Sequence, residues 1–237
     1  MQNKQEFIIN YKKKIIEQNI TDQKLPDLNN NIVIFTDGSY SKSTQKCGYG
    51  VFFVNENFKS YSHRFKYYPL TNNRAELYAV LSALKTVKNN FTKNIIDKTK
   101  YNNIIFFVDS MYTINCYSKF YKNWMKDNWK DAINCNILNL DIIKNCINLI
   151  ENIKNEFNLQ IKFYHINSHT KINDSIHNAN DLVDKLATTY IFKNNNFDDN
   201  LGYIIEKDLN EEKDLNEEIS FEDFEKEEFD KENIEIF

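Results

Sequence analysis

The chain of 237 residues carries 30 Lys+Arg against 34 Asp+Glu, is 41% hydrophobic, and has only 2 Pro and 4 Gly. That composition excludes a collagen-like or loop-rich protein and suffices for one buried α/β domain with appendages. The charge is split: residues 198–237 hold 17 Asp+Glu and 4 Lys, a balance of −13, which leaves 26 Lys+Arg and 17 Asp+Glu, or +9, for the rest.

In chain order, residues 1–29 form an N-terminal extension whose apolar residues Phe7, Ile8, Tyr11, Ile15 and Ile16 predict a short packing helix, closed off by Pro26 and Asn29 to Asn31. Ile32 to Phe35 is a continuous apolar β-forming run that delivers Thr36, Asp37, Gly38 and Ser39 at its end. Such a run fits a central strand covered on both faces, where a terminal carboxylate is costly unless something coordinates it. After a polar turn at 42–48, stretches 50–55 and 59–67 complete an antiparallel meander. Thr71 then caps a helix with Ala75, Leu77, Ala79, Val80, Leu81, Ala83, Leu84 and Val87 at helical spacing and Glu76 in its first turn.

Ile104 to Val108 repeats the opening pattern, an apolar strand ending in Asp109 and Ser110. A helical stretch from Met111, an aromatic segment with Trp124 and Trp129, and a long helix over about 137–155 follow. A fifth strand is expected at 159–166. A polar loop with His165, His169 and His177 nearby leads to a last helix over 180–192. The domain is expected to occupy 30–194, with 195–237 an acidic, disordered tail that repeats KDLNEE at 207–212 and 213–218.

Cys47, Cys116, Cys135 and Cys146 show no C-x-x-C spacing, so neither a zinc site nor a disulfide framework is indicated. With no signal peptide, lipidation motif or long apolar stretch, a soluble protein of a reducing, intracellular compartment is expected.

Carboxylates at strand ends and helix starts (Asp37, Glu76, Asp109, and Asp181 or Asp184) can converge, and like charges in one site raise one another's pKa unless a cation intervenes. All-oxygen ligands suit Mg²⁺ or Mn²⁺, which leave positions free for phosphate oxygens. Two such ions would serve an in-line phosphodiester displacement.

FTDGS at 35–39, the G-Y-G at 48–50, TNNRAEL at 71–77, VDS at 108–110, and His169 followed by NDLVDKLA at 180–187 together resemble the successive motifs of the type 1 ribonuclease H family, over about 31–193. The resemblance implies that family's fold, a five-stranded mixed sheet flanked by helices, and its activity, endonucleolytic hydrolysis of the RNA strand of RNA/DNA hybrids with two metal ions. It makes Asp37, Glu76, Asp109 and Asp184 the metal-binding and catalytic carboxylates, with Asp181 a neighbouring helix-start charge, and His169 the histidine that assists product departure. Gly38 and Ser39 would approach the RNA, Thr71 and Asn72 the DNA strand. Asn180 and Trp124 would complete the substrate contacts, and A-form shape with the 2′-hydroxyl would distinguish RNA.

The chain departs from the family pattern at Ser43 to Cys47, at Met111, at Ala179 and in a diluted basic protrusion around 126–131, which predicts a shallower salt dependence of binding. None of these removes a ligand. Two other readings are a same-fold nuclease or integrase with another substrate, and a catalytically silent hybrid-binding module. TNNRAEL argues against the first and the complete carboxylate set against the second. The acidic tail is read as a protein-partner segment or as an internal competitor for the nucleic-acid groove.

Overall fold

The computed structural model describes residues 4–191 apart from Ala132, His169 and Tyr190; the acidic tail and His169 therefore lie outside the described residues. Ile32, Val33, Ile34 and Phe35 have no solvent exposure at all. They belong to β1 (Asn31–Ser41), the middle strand of a five-stranded sheet that also holds β2 (Lys46–Phe53), β3 (Tyr61–Arg64), β4 (Asn103–Val108) and β5 (Gln160–His165), in the order β3-β2-β1-β4-β5. β1, β2 and β3 run antiparallel, with Asp37 opposite Gly50. β1, β4 and β5 run parallel, with Thr36 beside Val108, so Asp37 and Asp109 leave adjacent strands at the same end of the sheet.

Successive side chains of a strand face opposite sides, and the buried residues sort accordingly. Ile32, Ile34, Ile104, Phe106 and Val108 join the cluster under α2 (Asn72–Thr92) and α5 (Leu140–Phe157). Val33, Phe35, Ile105 and Phe107 join the opposite cluster with Leu182, Val183 and Leu186 of α6 (Ser175–Thr188) and with Ile8, Ile15 and Leu25. The apolar runs are thus continuous because helices cover both faces.

Helix α1 (Lys4–Asp22) is 19 residues long, not the short element expected, and its stripe 8, 11, 15 lies against the second cluster. Lys12 on the same side is 7% exposed and donates to the carbonyls of Asn55 (3.0 Å) and Phe58 (3.1 Å). Between α2 and α5 the chain forms α3 (Met111–Asn115), one wide π turn (Cys116–Phe120) and α4 (Tyr121–Lys126), in effect one helical stretch.

Boundaries differ from the sequence reading at several places, among them the end of α6 at Thr188 and that of β2 at Phe53. β2 begins at Lys46, inside the polar turn, because its backbone pairs with Ser41 of β1. β3 is only four residues long, paired over 61–64. α5 starts at Leu140, after Asn139 in the left-handed conformation that asparagine tolerates, which leaves Leu138 79% exposed. α6 starts at Ser175, five residues earlier than the periodicity indicated, because Asp174 accepts the His177 amide as an N-cap. The connection from β5 to α6 is correspondingly shorter.

Candidate active site

At the end of β1, the Gly38 amide donates to Asp37 Oδ1 at 2.8 Å, and Asp37 itself is only 6% exposed. Gly38 continues the face of β1 that looks onto α2. A Cβ there would come 2.2 Å from the Glu76 amide nitrogen and 2.5 Å from the Ala75 carbonyl carbon. The missing side chain is what lets the first turn of α2 approach the strand and set Glu76 beside Asp37. Gly50 performs the same service on the other face, where a Cβ would meet Leu186 Cβ and the Val183 carbonyl oxygen of α6 at 2.8 Å.

Thr71, Asn72 and Arg74 at the α2 entry have defined partners. The Thr71 hydroxyl caps α2 by accepting the Arg74 amide at 3.2 Å, and Asn72 Nδ2 donates to Glu76 Oε1 at 3.4 Å. The Arg74 guanidinium, 4% exposed, makes a two-pronged bond to Asp141 at the start of α5, 2.8 and 2.6 Å. Burial opposes ionisation of Asp141, yet Arg74 holds its carboxyl below the usual aspartate range. This pair, which sequence reasoning missed, braces the turn that carries Glu76; sixty-seven residues separate the partners and no local pattern signals them.

Asp37, Glu76 and Asp109 each offer an oxygen within 4.8 Å of the others, the cluster of possible metal-holding side chains found among the described residues. They line a cleft of about 200 Å³ together with Gly38, Ser39, Asn72, Ser168, Asn180, Asp181 and Asp184. Of the two candidate aspartates on α6, Asp184 is half-buried and its charge acts on Asp37, whereas Asp181 is exposed. Trp124 lies away from this cleft's lining, half-buried against the core with its ring 5.4 Å from Phe120. Trp129 also packs on the core, with Lys144 Nζ 5.0 Å from its ring centre. Ser168 was not singled out from sequence. His165 at the end of β5 places Nε2 3.2 Å from the Asp109 carbonyl.

The electrostatics of the cluster are those of a site made for cations. Burial, then the charges of Asp109 and Asp184, push the Asp37 carboxyl up to about 8. Burial, then the charges of Asp37 and Asp109, raise Glu76 well above the glutamate range. Glu76 Oε2 and Asn180 Oδ1 are buried without a hydrogen-bond partner, an expensive condition that oxygen-seeking cations or ligand donors would relieve. The residues therefore fit a hard divalent metal.

A consequence for stability follows with a definite sign. Asp37 binds its proton more tightly folded than unfolded, since its value rises from 3.8 to about 8. Its contribution is fully present at low pH and is lost as pH rises through about 8. In metal-free samples taken from about pH 5 to about pH 8, Asp37→Asn should gain Tm relative to wild type, by roughly 5 °C at the upper end. A saturating divalent cation should close that gap, because wild type then recovers what it lost. Thermal melts at both pH values check this, and a gap independent of pH would contradict the raised Asp37 carboxyl.

Comparison with known proteins gives a consistent result. The RNase H family profile matches residues 29–191. The chain is 35% identical over 133 residues to the Ribonuclease H of Treponema denticola, covering 54% of this chain and 82% of that protein. It is 32% identical over 157 residues to the Ribonuclease HI of Haemophilus influenzae, covering 66% and 86%. Among solved structures, the foamy viral protease-reverse transcriptase in complex with RNA/DNA hybrid superposes with a TM-score of 0.50 at 21% identity. That match covers 70% of this chain and 20% of the viral one, a likeness of fold.

Proposed function

The chain belongs to the RNase H family, and from that premise we propose that it hydrolyses the RNA strand of RNA/DNA hybrids at the cleft where β1, β4, α2 and α6 meet. The observation that carries the reading is the convergence of Asp37, Glu76 and Asp109 within 4.8 Å, with the charge of Asp184 felt at Asp37. These four carboxylates would hold Mg²⁺, or Mn²⁺ in its place. When bound, a pair of such ions supplies an activated water and stabilises the leaving oxygen of the scissile phosphodiester.

The chain's own residues do the rest. Gly38 and Ser39 border the cleft on the β1 side, where the RNA backbone would run. Asn72 is held toward Glu76, and Asn180 lines the cleft, where its side-chain amide would meet the 2′-hydroxyl side of the hybrid. Thr71 acts first on its own helix as a cap and contributes to the DNA-strand side through the same turn. Trp124 offers a half-buried ring on α4 for the hybrid's far groove. His169, outside the described residues, takes the role of assisting product departure. No helix among the described residues is long and apolar enough to cross a membrane.

The test is cleavage of a labelled RNA/DNA hybrid with Mg²⁺ present or chelated. RNA-strand cuts that vanish on chelation, with double-stranded DNA left intact, support the assignment. Cleavage of DNA instead would favour another nuclease of the same fold, and tight binding without cleavage would favour a silent module.

The acidic tail adds a regulatory proposal. A segment of charge −13 attached to a body of +9 competes with a polyanionic substrate at high effective concentration. Removing residues 198–237 should tighten hybrid binding at low salt, about tenfold, with the difference fading as salt screens the two charges from each other. Binding titrations at two ionic strengths read this out. Equal affinities at low salt would leave the tail as a partner segment.

A further inference from the structure

Helix α1 stands outside residues 29–191, the segment matched by the family profile, yet its last turn is bonded to the first turn of the helix that carries Asn180 and Asp184. The apolar stripe of α1 at 8, 11 and 15 continues into polar residues at 18, 19 and 22, all on one side at helical spacing. Asp22 Oδ2 accepts the Ser175 amide at 2.7 Å, and Asp22 Oδ1 accepts the Ser175 hydroxyl at 2.8 Å. Ser175 has no solvent exposure. Gln18 grips the same region twice: its Nε2 donates to the Asn173 carbonyl at 3.1 Å, and its Oε1 accepts from Asn178 Nδ2 at 2.7 Å. Against a burial penalty, the Ser175 amide and hydroxyl hold the Asp22 carboxyl below the usual aspartate range.

We propose that Asp22 and Gln18 are positioning residues for the reaction, clamping the first turn of α6 and the connection before it so that Asn180 and Ser168 form a fixed wall of the cleft. The far half of α6 has its own anchors in Gly50 and in the Ser62 hydroxyl, which donates to the Leu186 carbonyl. The first turn has none of these. Its amides, which have no partner within the helix, are met by Asp174, which takes that of His177, and by Asp22, which takes that of Ser175. Two carboxylates at this end also suit the positive pole of the helix. Loss of Asp22 would free the turn leading to Asn180 while leaving Asp37, Glu76 and Asp109, which rest on β1, α2 and β4, where they are.

The proposal rests on the hydrolase reading above, and its test separates the two. Full-length Asp22→Ala, Asp22→Asn and Ile8→Ala are compared with wild type, the last loosening α1 at its opposite end. In Asp22→Ala, kcat on hybrid at a temperature well below every Tm should fall about tenfold, as for supports behind a reacting shell. Amide exchange over 175–180 should quicken and Mn²⁺ affinity by calorimetry should stay within about twofold, since Asp37, Glu76 and Asp109 rest on other elements and Asp184 lies on the part of α6 toward the Gly50 and Ser62 anchors. Asp22→Asn, which keeps one acceptor oxygen, should recover much of the turnover, and Ile8→Ala should keep it. Wild-type turnover in Asp22→Ala, or an equal loss in Ile8→Ala, overturns the clamp. So does unchanged exchange over 175–180, a readout that stands even if wild type leaves the hybrid whole, an outcome that would instead remove the hydrolase reading.

Discussion

Asp109→Asn is expected to abolish hybrid cleavage to within about a thousandth of wild type while hybrid binding survives. The substitution keeps size and hydrogen bonding but removes one of the three charges gathered within 4.8 Å at the end of the parallel strands. Metal-assisted transition-state stabilisation of several kcal/mol, at about 1.4 kcal/mol per tenfold in rate, gives that magnitude. Binding is spared because the remaining cleft, with Asn72, Asn180 and Ser39, does not depend on this carboxylate. Single-turnover kinetics with excess protein, paired with an affinity measurement in chelator, reads both quantities. Near-normal turnover would remove Asp109 from the ligand set. The same change on α6 should separate the two candidates: Asp184→Asn inactive and Asp181→Asn active, because Asp184 is the half-buried one whose charge is felt at Asp37 while Asp181 is exposed.

Gly38→Ala should be nearly as damaging, although it changes no charge. The new Cβ would sit 2.2 Å from the Glu76 nitrogen, 2.5 Å from the Ala75 carbonyl carbon and 2.8 Å from the Ala75 Cβ, and two of those three neighbours are backbone atoms. The first turn of α2 must therefore retreat, a strain of about 1–3 kcal/mol or more for a packed interior. Glu76 would move with it, and a displacement on the order of 1 Å at a reacting centre costs about a hundredfold. A lowered Tm together with a loss of kcat larger than the loss of hybrid affinity is the expected pattern. A stable, active Gly38→Ala would mean that α2 does not need this approach. The Arg74–Asp141 brace points the same way, since it fixes the other side of the same turn.

Much of the site was legible before any coordinates. Ile32 to Phe35 and Ile104 to Val108 announce two strands covered on both faces, and a buried strand that runs into an aspartate poses a problem that coordination would solve. Thr71 followed by apolar residues at helical spacing places Glu76 near the start of a helix; the structure has it as the fifth residue of α2, just past the first turn in which it was expected. These are local properties: a period of 2 or 3.6 residues and a cap are written in neighbouring side chains. The order of elements from β1 onward follows from them, and the motifs that carried the family resemblance sit on them.

Other features have no local signature. The start of α6 at Ser175 depends on Asp174 and on a carboxylate 153 residues away, so periodicity alone placed it too late. The long α1, with Ile8 and Ile15 in the same cluster as Val33 and Phe35, looked like an appendage because its partners are remote in the chain. Gly38 could be read as a residue that approaches substrate; only the packed structure shows the α2 backbone already occupying the space beside it. Asp184 was chosen over Asp181 on the motif NDLVDKLA alone; the packed structure adds that the charge of Asp184 is felt at Asp37. Burial period and capping are set by adjacent residues and so are determined by the sequence itself. The convergence of carboxylates, the brace and the clamp are set by how distant elements register against one another on a sheet, and that only the tertiary structure decides.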